Sequence, residues 1–207
     1  MEKQTDLSWW IPLVHVCRRW RQVNFGSPLH LRLVLPCNYR RPARKSLDIW
    51  PPLPIAITYF VHDSCQESED IVAALEHHDR VSETSFEGLT SSNVEWLAKA
   101  MLEPFPVLTS LKLFPSRAYV SVPVPVPVLP DAFLGGNAPS LRRLALDGIA
   151  FPALPKLLLS STRLISLELR GTPIAGYISA EVMVACRPRC QVLKYFVRKP
   201  VRPDRPR

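Results

Sequence analysis

A short pattern of apolar and polar positions recurs along the chain. Leucine occupies the first, fourth and sixth positions of residues 108–113, 141–146 and 164–169. A looser copy stands at residues 81–86, where Val81, Thr84 and Phe86 take the three positions. Successive copies begin 27, 33 and 23 residues apart. Repetition on a scale of about 20–50 residues is typical of solenoids, in which each unit buries its apolar face against its neighbour.

Each copy of this pattern predicts a β-strand with one buried face. In the copies at 108–113 and 164–169 the last three residues alternate apolar, polar and apolar, and the copy at 141–146 has the small Ala145 at the middle position. This pattern suits a pleated strand that packs on one side only. Turn-forming residues follow each leucine copy, at 114–115, 147–148 and 170–171. An alternating β-branched and aromatic run at residues 55–61 predicts the first strand of the repeat region.

Helical spacing of apolar residues fills the intervals between these strands. Residues 64–78 predict one helix, and residues 92–101 predict another, with Ser92 as the side chain that caps its start. Strands that alternate with helices predict an α/β fold. Together with the repeat, this pattern predicts a leucine-rich-repeat-like solenoid over residues 55–186.

Alternating prolines interrupt the repeats at residues 120–130. Proline lacks the backbone donor that an interior strand needs, so this stretch is predicted to be an extended insertion at the edge of the repeats. An alternative interpretation is a proline-rich ligand motif at residues 127–130.

An amphipathic helix is predicted at residues 8–24. Its apolar side chains recur at helical spacing, at Leu13, Val16, Cys17, Trp20 and Val23. Arginines fall mostly on the opposite side, and a glycine followed by a proline ends the helix. Two interpretations stay open, a helix packed into the core and a helix of a protein-docking module.

The residues around this helix resemble part of a known domain. Residues 16–23, with the sequence VCRRWRQV, precede a Ser-Pro-Leu step at 27–29 and a predicted hydrophobic strand at 31–35. This succession resembles the C-terminal half of an F-box, in the style of the large F-box families of mushroom-forming fungi (basidiomycete type). In those families leucine-rich-type repeats follow the F-box, and the resemblance extends over most of residues 8–186.

The resemblance implies a substrate-receptor subunit of a cullin-type ubiquitin ligase. In the family, the F-box binds a Skp-type adaptor protein, and the repeats bind a protein substrate. The adaptor-binding residues implied here are Leu13, Val16, Cys17 and Trp20. The Leu-Pro pair and first helix that open a typical F-box are absent, so the implied F-box is truncated at its N-terminus. A degenerate family member without adaptor binding is the alternative.

The sequence therefore predicts four segments. Residues 1–36 are a short, partial F-box-like helical segment, and residues 37–54 are a basic, proline-rich connector. The connector is interpreted as a solvated loop, with a phosphate or nucleic-acid contact as the alternative. Residues 55–186 are the solenoid. Residues 187–207 are a basic, disordered tail, because they carry eight Arg or Lys against one Asp and no repeat pattern.

The charge of the whole chain belongs mainly to that tail. The formal net charge is +8, of which the tail supplies +7. The remainder is nearly neutral, so nucleic-acid binding by the folded region is not predicted. An alternative function is that the tail itself binds nucleic acid or an import receptor. No apolar run approaches the ~20 residues that cross a bilayer, which predicts a cytoplasmic or nuclear protein without membrane contact.

No residues with recognisable catalytic spacing occur. The phosphate-binding glycine loops, the Gly-x-Ser-x-Gly motif and the His-Glu-x-x-His motif are all missing, so we expect neither an enzyme nor a cofactor. The five scattered cysteines predict neither a disulfide framework nor a metal site. We expect a protein-recognition module whose substrate is an unidentified protein. The candidate substrate-binding residues, which lie between the leucines, are Thr109, Lys112, Arg142, Arg143, Ser166 and Glu168.

Overall fold

Every described strand belongs to one parallel sheet. The computed structural model describes residues 12, 15–26, 31–35, 37, 43–49, 52–60, 67–116, 126–173, 181, 184 and 192–197. The strands are Leu33–Leu35 (β1), Ile55–Phe60 (β2), Val81–Leu89 (β3), Ser110–Pro115 (β4), Arg143–Asp147 (β5), Ser166–Thr172 (β6) and Val192–Val197 (β7). They form a seven-stranded sheet in chain order, and each strand pairs in parallel with the next.

Helices connect most of these strands, so the predicted α/β class is confirmed. The helices are Arg18–Phe25 (α1), Ala43–Ile49 (α2), Glu67–Leu75 (α3), Ser91–Ala100 (α4) and Leu154–Ser160 (α5), with a 3₁₀ turn at Phe133–Gly136. Among the described helices, none has both the length and the apolar composition that a bilayer-spanning segment requires.

The recurring sequence pattern sets the register of the sheet. The fourth positions of the four copies, at Thr84, Leu111, Leu144 and Leu167, lie side by side on adjacent strands. The same row continues to Ile57 and Leu35 on one side and to Leu193 on the other. The pattern therefore extends by two strands before the first copy seen in the sequence and by one after the last.

The two faces of the sheet differ. Leu111 and Leu144 are buried in one cluster with Leu97 of α4 and Leu157 of α5, whereas Lys112 between the leucines of β4 is exposed. Crossovers between parallel strands are right-handed in nearly all proteins, so a sheet whose strand order never reverses receives its connections on one side. The described helices that connect the strands thus cover one face, and we call the other face, which none of these helices covers, the open face.

Two of the predicted segments contain regular structure that the sequence did not indicate. The prediction of disorder throughout residues 187–207 is wrong, because β7 pairs with β6 along residues 192–197. The sequence did not indicate this strand, because prolines and arginines lie on either side of its mostly apolar residues, Val192-Leu193-Lys194-Tyr195-Phe196. The connector at 37–54 contains α2, whose first backbone N–H, at Ala43, donates to the Asp70 carboxylate at 3.1 Å. A carboxylate from α3 thereby replaces the local capping residue that the sequence lacks.

The described end of the proline-rich insertion pairs with the segment that follows β5. The Leu129 N–H donates to the Ala150 carbonyl at 2.8 Å, and the Ala150 N–H donates to the Pro127 carbonyl at 2.9 Å. Leu129 is 1% exposed. Residues 126–130 therefore form an extended segment, in which Val126 and Val128 are half exposed. Residues 120–125 lie outside the described residues.

A buried hydroxyl gives a first test of this packing. Thr84 is 2% exposed in the row of leucines, and its Oγ1 has no hydrogen-bond partner among the described residues. Replacing Thr84 by valine keeps the shape and removes the unsatisfied group, so the free energy of unfolding should rise by about 1 kcal/mol. Urea denaturation measures the change. Thr58→Val, on the half-exposed side of β2, is the control and should change little; a Thr84→Val protein that is less stable than the parent contradicts the packing described here.

Candidate protein-recognition surfaces

Side chains of the open face form three rows that cross the strands. The first row contains Val34, Ala56, Glu83, Ser110, Arg143 and Ser166. The second row contains Thr58, Ser85, Lys112, Ala145 and Glu168. The third row contains Phe60, Glu87, Phe114, Asp147 and Arg170. In the first two rows charged side chains alternate with small ones, of which Ala56, Ser110 and Ala145 are buried. The third row combines charged side chains with two phenylalanines.

Glu83 is the centre of an ion-pair network in the first row. Its Oε1 accepts from Nη1 of Arg32 at 2.7 Å and from Nη2 of Arg143 at 3.2 Å. The two arginines approach from opposite sides of β3, Arg32 from just before β1 and Arg143 from β5. One carboxylate is thus shared by two guanidinium groups, and these keep 42% and 58% of their side-chain surface exposed.

A second ion pair lies on β6. Nε of Arg170 donates to Oε1 of Glu168 at 2.7 Å, and Nη2 of Arg170 contacts the same oxygen. The guanidinium also lies 6.0 Å from the ring centroid of Phe114, within the range of a cation–π contact. The charges of Glu168 and Arg170 therefore largely cancel each other.

Lys112 differs from these charged neighbours. It is exposed on β4, and within the described part of the chain no hydrogen bond or ion pair holds its ammonium group. Ser85 and Ala145 flank it in the second row, and both are too short to cover it. Lys112 is therefore a cation that an incoming group can reach directly.

The structure separates the predicted substrate-binding residues into two groups. Lys112, Arg143, Ser166 and Glu168 lie on the open face, as their alternation with leucine predicts. Thr109 lies just before β4, where its hydroxyl donates to the Ser82 carbonyl at 2.9 Å.

Arg142 lies at the equivalent place before β5, and its backbone N–H donates to the Thr109 carbonyl at 2.8 Å. The residues at the second position of each repeat therefore form hydrogen bonds between the segments that lead into adjacent strands. The open face begins one residue later. The repeat pattern gave no indication of Arg32 or Glu83, whose ion pair joins the residue before β1 to β3.

A separate surface lies on α1 and the turn before it. Val16, Trp20 and Val23 are 65%, 50% and 64% exposed, and their spacing places them on one side of the helix. Phe25, near the opposite side, packs against the core. The apolar stripe of α1 thus faces outward.

Three of the four predicted adaptor-binding residues are therefore accessible. Val16 and Trp20 belong to the apolar stripe, and Cys17 beside them is also exposed. Leu13, the fourth, lies outside the described residues. An exposed stripe of this kind is typical of a surface that another protein covers.

A groove of about 450 Å³ lies between α3 and α4, on the helical side of the molecule. It is lined by Val72, Ser92, Glu95, Trp96, Lys99 and Ala100. It is open to solvent, whereas small-molecule sites enclose most of their ligand.

Comparison with known proteins identifies no relative. No family model matches the sequence, no curated protein matches it, and no solved structure matches its fold.

Proposed function

We propose that this protein is a recognition module that binds a protein substrate on the open face of a leucine-rich-type solenoid. The observation that carries the proposal is the parallel sheet in chain order with helices on one face. Parallel sheets in most α/β proteins are covered on both faces. In repeat proteins, stacking leaves one continuous face available for binding a partner. The polar rows with exposed Lys112 and Arg143 fit that use.

The α1 stripe supports a second part of this proposal. Two of its residues, Val16 and Trp20, are among those that the F-box resemblance implies for binding a Skp-type adaptor. An exposed tryptophan flanked by aliphatic side chains is a common anchor of protein interfaces. In this proposal α1 connects the protein to a cullin-type ubiquitin ligase, and the open face selects the substrate.

Adaptor binding is tested by replacing Trp20 with alanine. Truncating an aromatic anchor typically costs about 2 kcal/mol or more of binding free energy, so affinity for a purified fungal Skp-type adaptor should fall at least about tenfold. Calorimetric titration measures the affinity. The melting temperature should stay nearly unchanged, because half of the Trp20 side chain is already exposed.

Leu159→Ala is the matched control, because Leu159 is 60% exposed on α5, away from the stripe. It should bind the adaptor as the parent does. Equal affinities of the Trp20→Ala and Leu159→Ala proteins, or a parent protein that does not bind, would remove the adaptor from the proposal.

A further inference from the structure

We propose that the open face binds an extended acidic segment of the partner protein, with Lys112 and Arg143 as the receptors of its carboxylates. This inference rests on the proposed function, because it names the chemistry of the substrate that the face would recognise.

The first observation is a local excess of positive charge. In the first two rows between β1 and β5, Lys112 and Arg143 stand against one carboxylate, that of Glu83, and Arg32, just before β1, reaches the same carboxylate. Glu168, at the far end of the second row, is already paired with Arg170. The centre of the face therefore carries a net charge of +2, although the chain without its basic C-terminal segment is nearly neutral.

The second observation is the spacing of the receptors. Lys112 pairs in register with Ala145, which lies two residues beyond Arg143 on β5. Lys112 and Arg143 are thus diagonal neighbours, whose Cα atoms in a sheet are about 7–8 Å apart. Side chains at alternate positions of an extended segment are about 6.8 Å apart. Acidic residues at positions i and i+2 of such a segment match the pair.

The third observation is access. Lys112 lies between the short side chains of Ser85 and Ala145, and 58% of the Arg143 side chain is exposed. The carboxylates of a partner reach both cations without displacing a side chain that covers them. A partner carboxylate can also form a charge-assisted hydrogen bond with Lys112 without breaking an existing ion pair among the described residues.

The remaining charges favour a polypeptide over a nucleic acid. Glu87 and Asp147 lie in the third row of the same face, beyond the cationic centre. A phosphate backbone, which carries a charge at every nucleotide, would be repelled there. A peptide places carboxylates only where the cations are and presents other side chains to the third row, where Phe60 is 59% exposed.

The experiment uses the full chain and a defined probe, an alternating Glu–Ser octapeptide labelled with a fluorophore. Anisotropy at low salt measures its affinity. Lys112→Ala should weaken binding about three- to tenfold. Glu83→Gln should strengthen binding about threefold, because it removes the carboxylate that competes for Arg143. Lys156 is exposed on α5, so Lys156→Ala removes the same charge elsewhere and should leave the affinity unchanged.

The outcomes distinguish this inference from its competitors. Equal losses in the Lys112→Ala and Lys156→Ala proteins would show that the peptide binds by general charge, for example at residues 198–207, and would overturn the inference. Weaker peptide binding by the Glu83→Gln protein would assign Glu83 a structural role and also count against it. An oligothymidylate that binds more tightly than the peptide and depends on Lys112 would replace the acidic peptide with a nucleic acid.

The adaptor experiment stands apart, because it probes α1. A protein that binds the adaptor but shows no Lys112-dependent peptide binding has the proposed function without this specificity. A protein that binds the peptide through Lys112 but not the adaptor has the recognition surface without the ligase role.

Discussion

Replacing Phe86 by alanine is expected to lower the free energy of unfolding by about 3–5 kcal/mol. Phe86 is 0% exposed at the sixth position of its repeat, between Tyr59 of β2 and Leu113 of β4. Its ring lies edge-on to the Tyr59 ring, with centroids 6.5 Å apart. Its removal leaves a cavity that neighbours on two strands line, and these strands are fixed by their own pairing. Urea denaturation followed by circular dichroism measures the loss.

Phe60→Ala provides the matched control for this substitution. Phe60 lies on the strand beside β3 but belongs to the open face, where it is 59% exposed. Its removal should cost less than about 1 kcal/mol. Similar losses for the two substitutions would contradict the assignment of one covered and one open face.

Removal of β7 is the second change with a large expected effect. A chain that ends at residue 190 lacks the strand that pairs with β6 over residues 166–172. We expect a loss of at least about 3 kcal/mol, which corresponds to a fall in melting temperature of about 6–12 °C. The β6 edge, left unpaired, should also promote aggregation. Thermal unfolding and light scattering measure these two effects.

A chain that ends at residue 197 is the control for that truncation. It keeps β7 and removes only the basic residues that follow, so its melting temperature should match that of the full chain. If both shortened chains melt at the same temperature as the full chain, the pairing of β7 with β6 contributes nothing to stability.

The recurring leucine pattern was sufficient to predict the four central strands, β3 to β6, and their stacking side by side. Even the imperfect copy at 81–86 forms β3, because Thr84 occupies the leucine position in register with Leu111. The apolar run at 31–35 was predicted as a strand, and β1 forms there over three residues. β7 was missed, because its copy has Cys190 and Tyr195 where the inner copies have leucine. Pairing with β6 compensates for this weak local pattern.

Local capping was predicted less well than strand position. The sequence indicated Ser92 as the cap of α4, whereas Thr90 accepts the capping hydrogen bond, from the Asn93 N–H at 3.2 Å. Several serines and threonines precede this helix, and each offers a similar hydroxyl. The choice depends on where β3 ends, which the sequence pattern alone does not fix.

The open-face residues near the leucines could be predicted, but their network could not. Lys112 and Arg143 follow directly from alternation. The convergence of Arg32 and Arg143 on Glu83 depends on a register shift, because Ile55 pairs with Val81 whereas the next residue, Ala56, pairs with Glu83. Such a shift arises from three-dimensional packing and leaves no mark in the spacing of apolar residues.

The strands lie in the sheet in the same order as in the chain, so each new strand can pair with the one synthesised just before it. Paired residues on neighbouring strands are separated by only 22 residues at Leu35 and Ile57, and by 33 at the widest step, Leu111 and Leu144. At a synthesis rate of about 5–20 residues per second, the ribosome supplies each new strand about one to seven seconds after its neighbour. The growing chain can therefore add one strand at a time to an edge that is already formed. Ribosome pausing within one interval would delay only the strands beyond it.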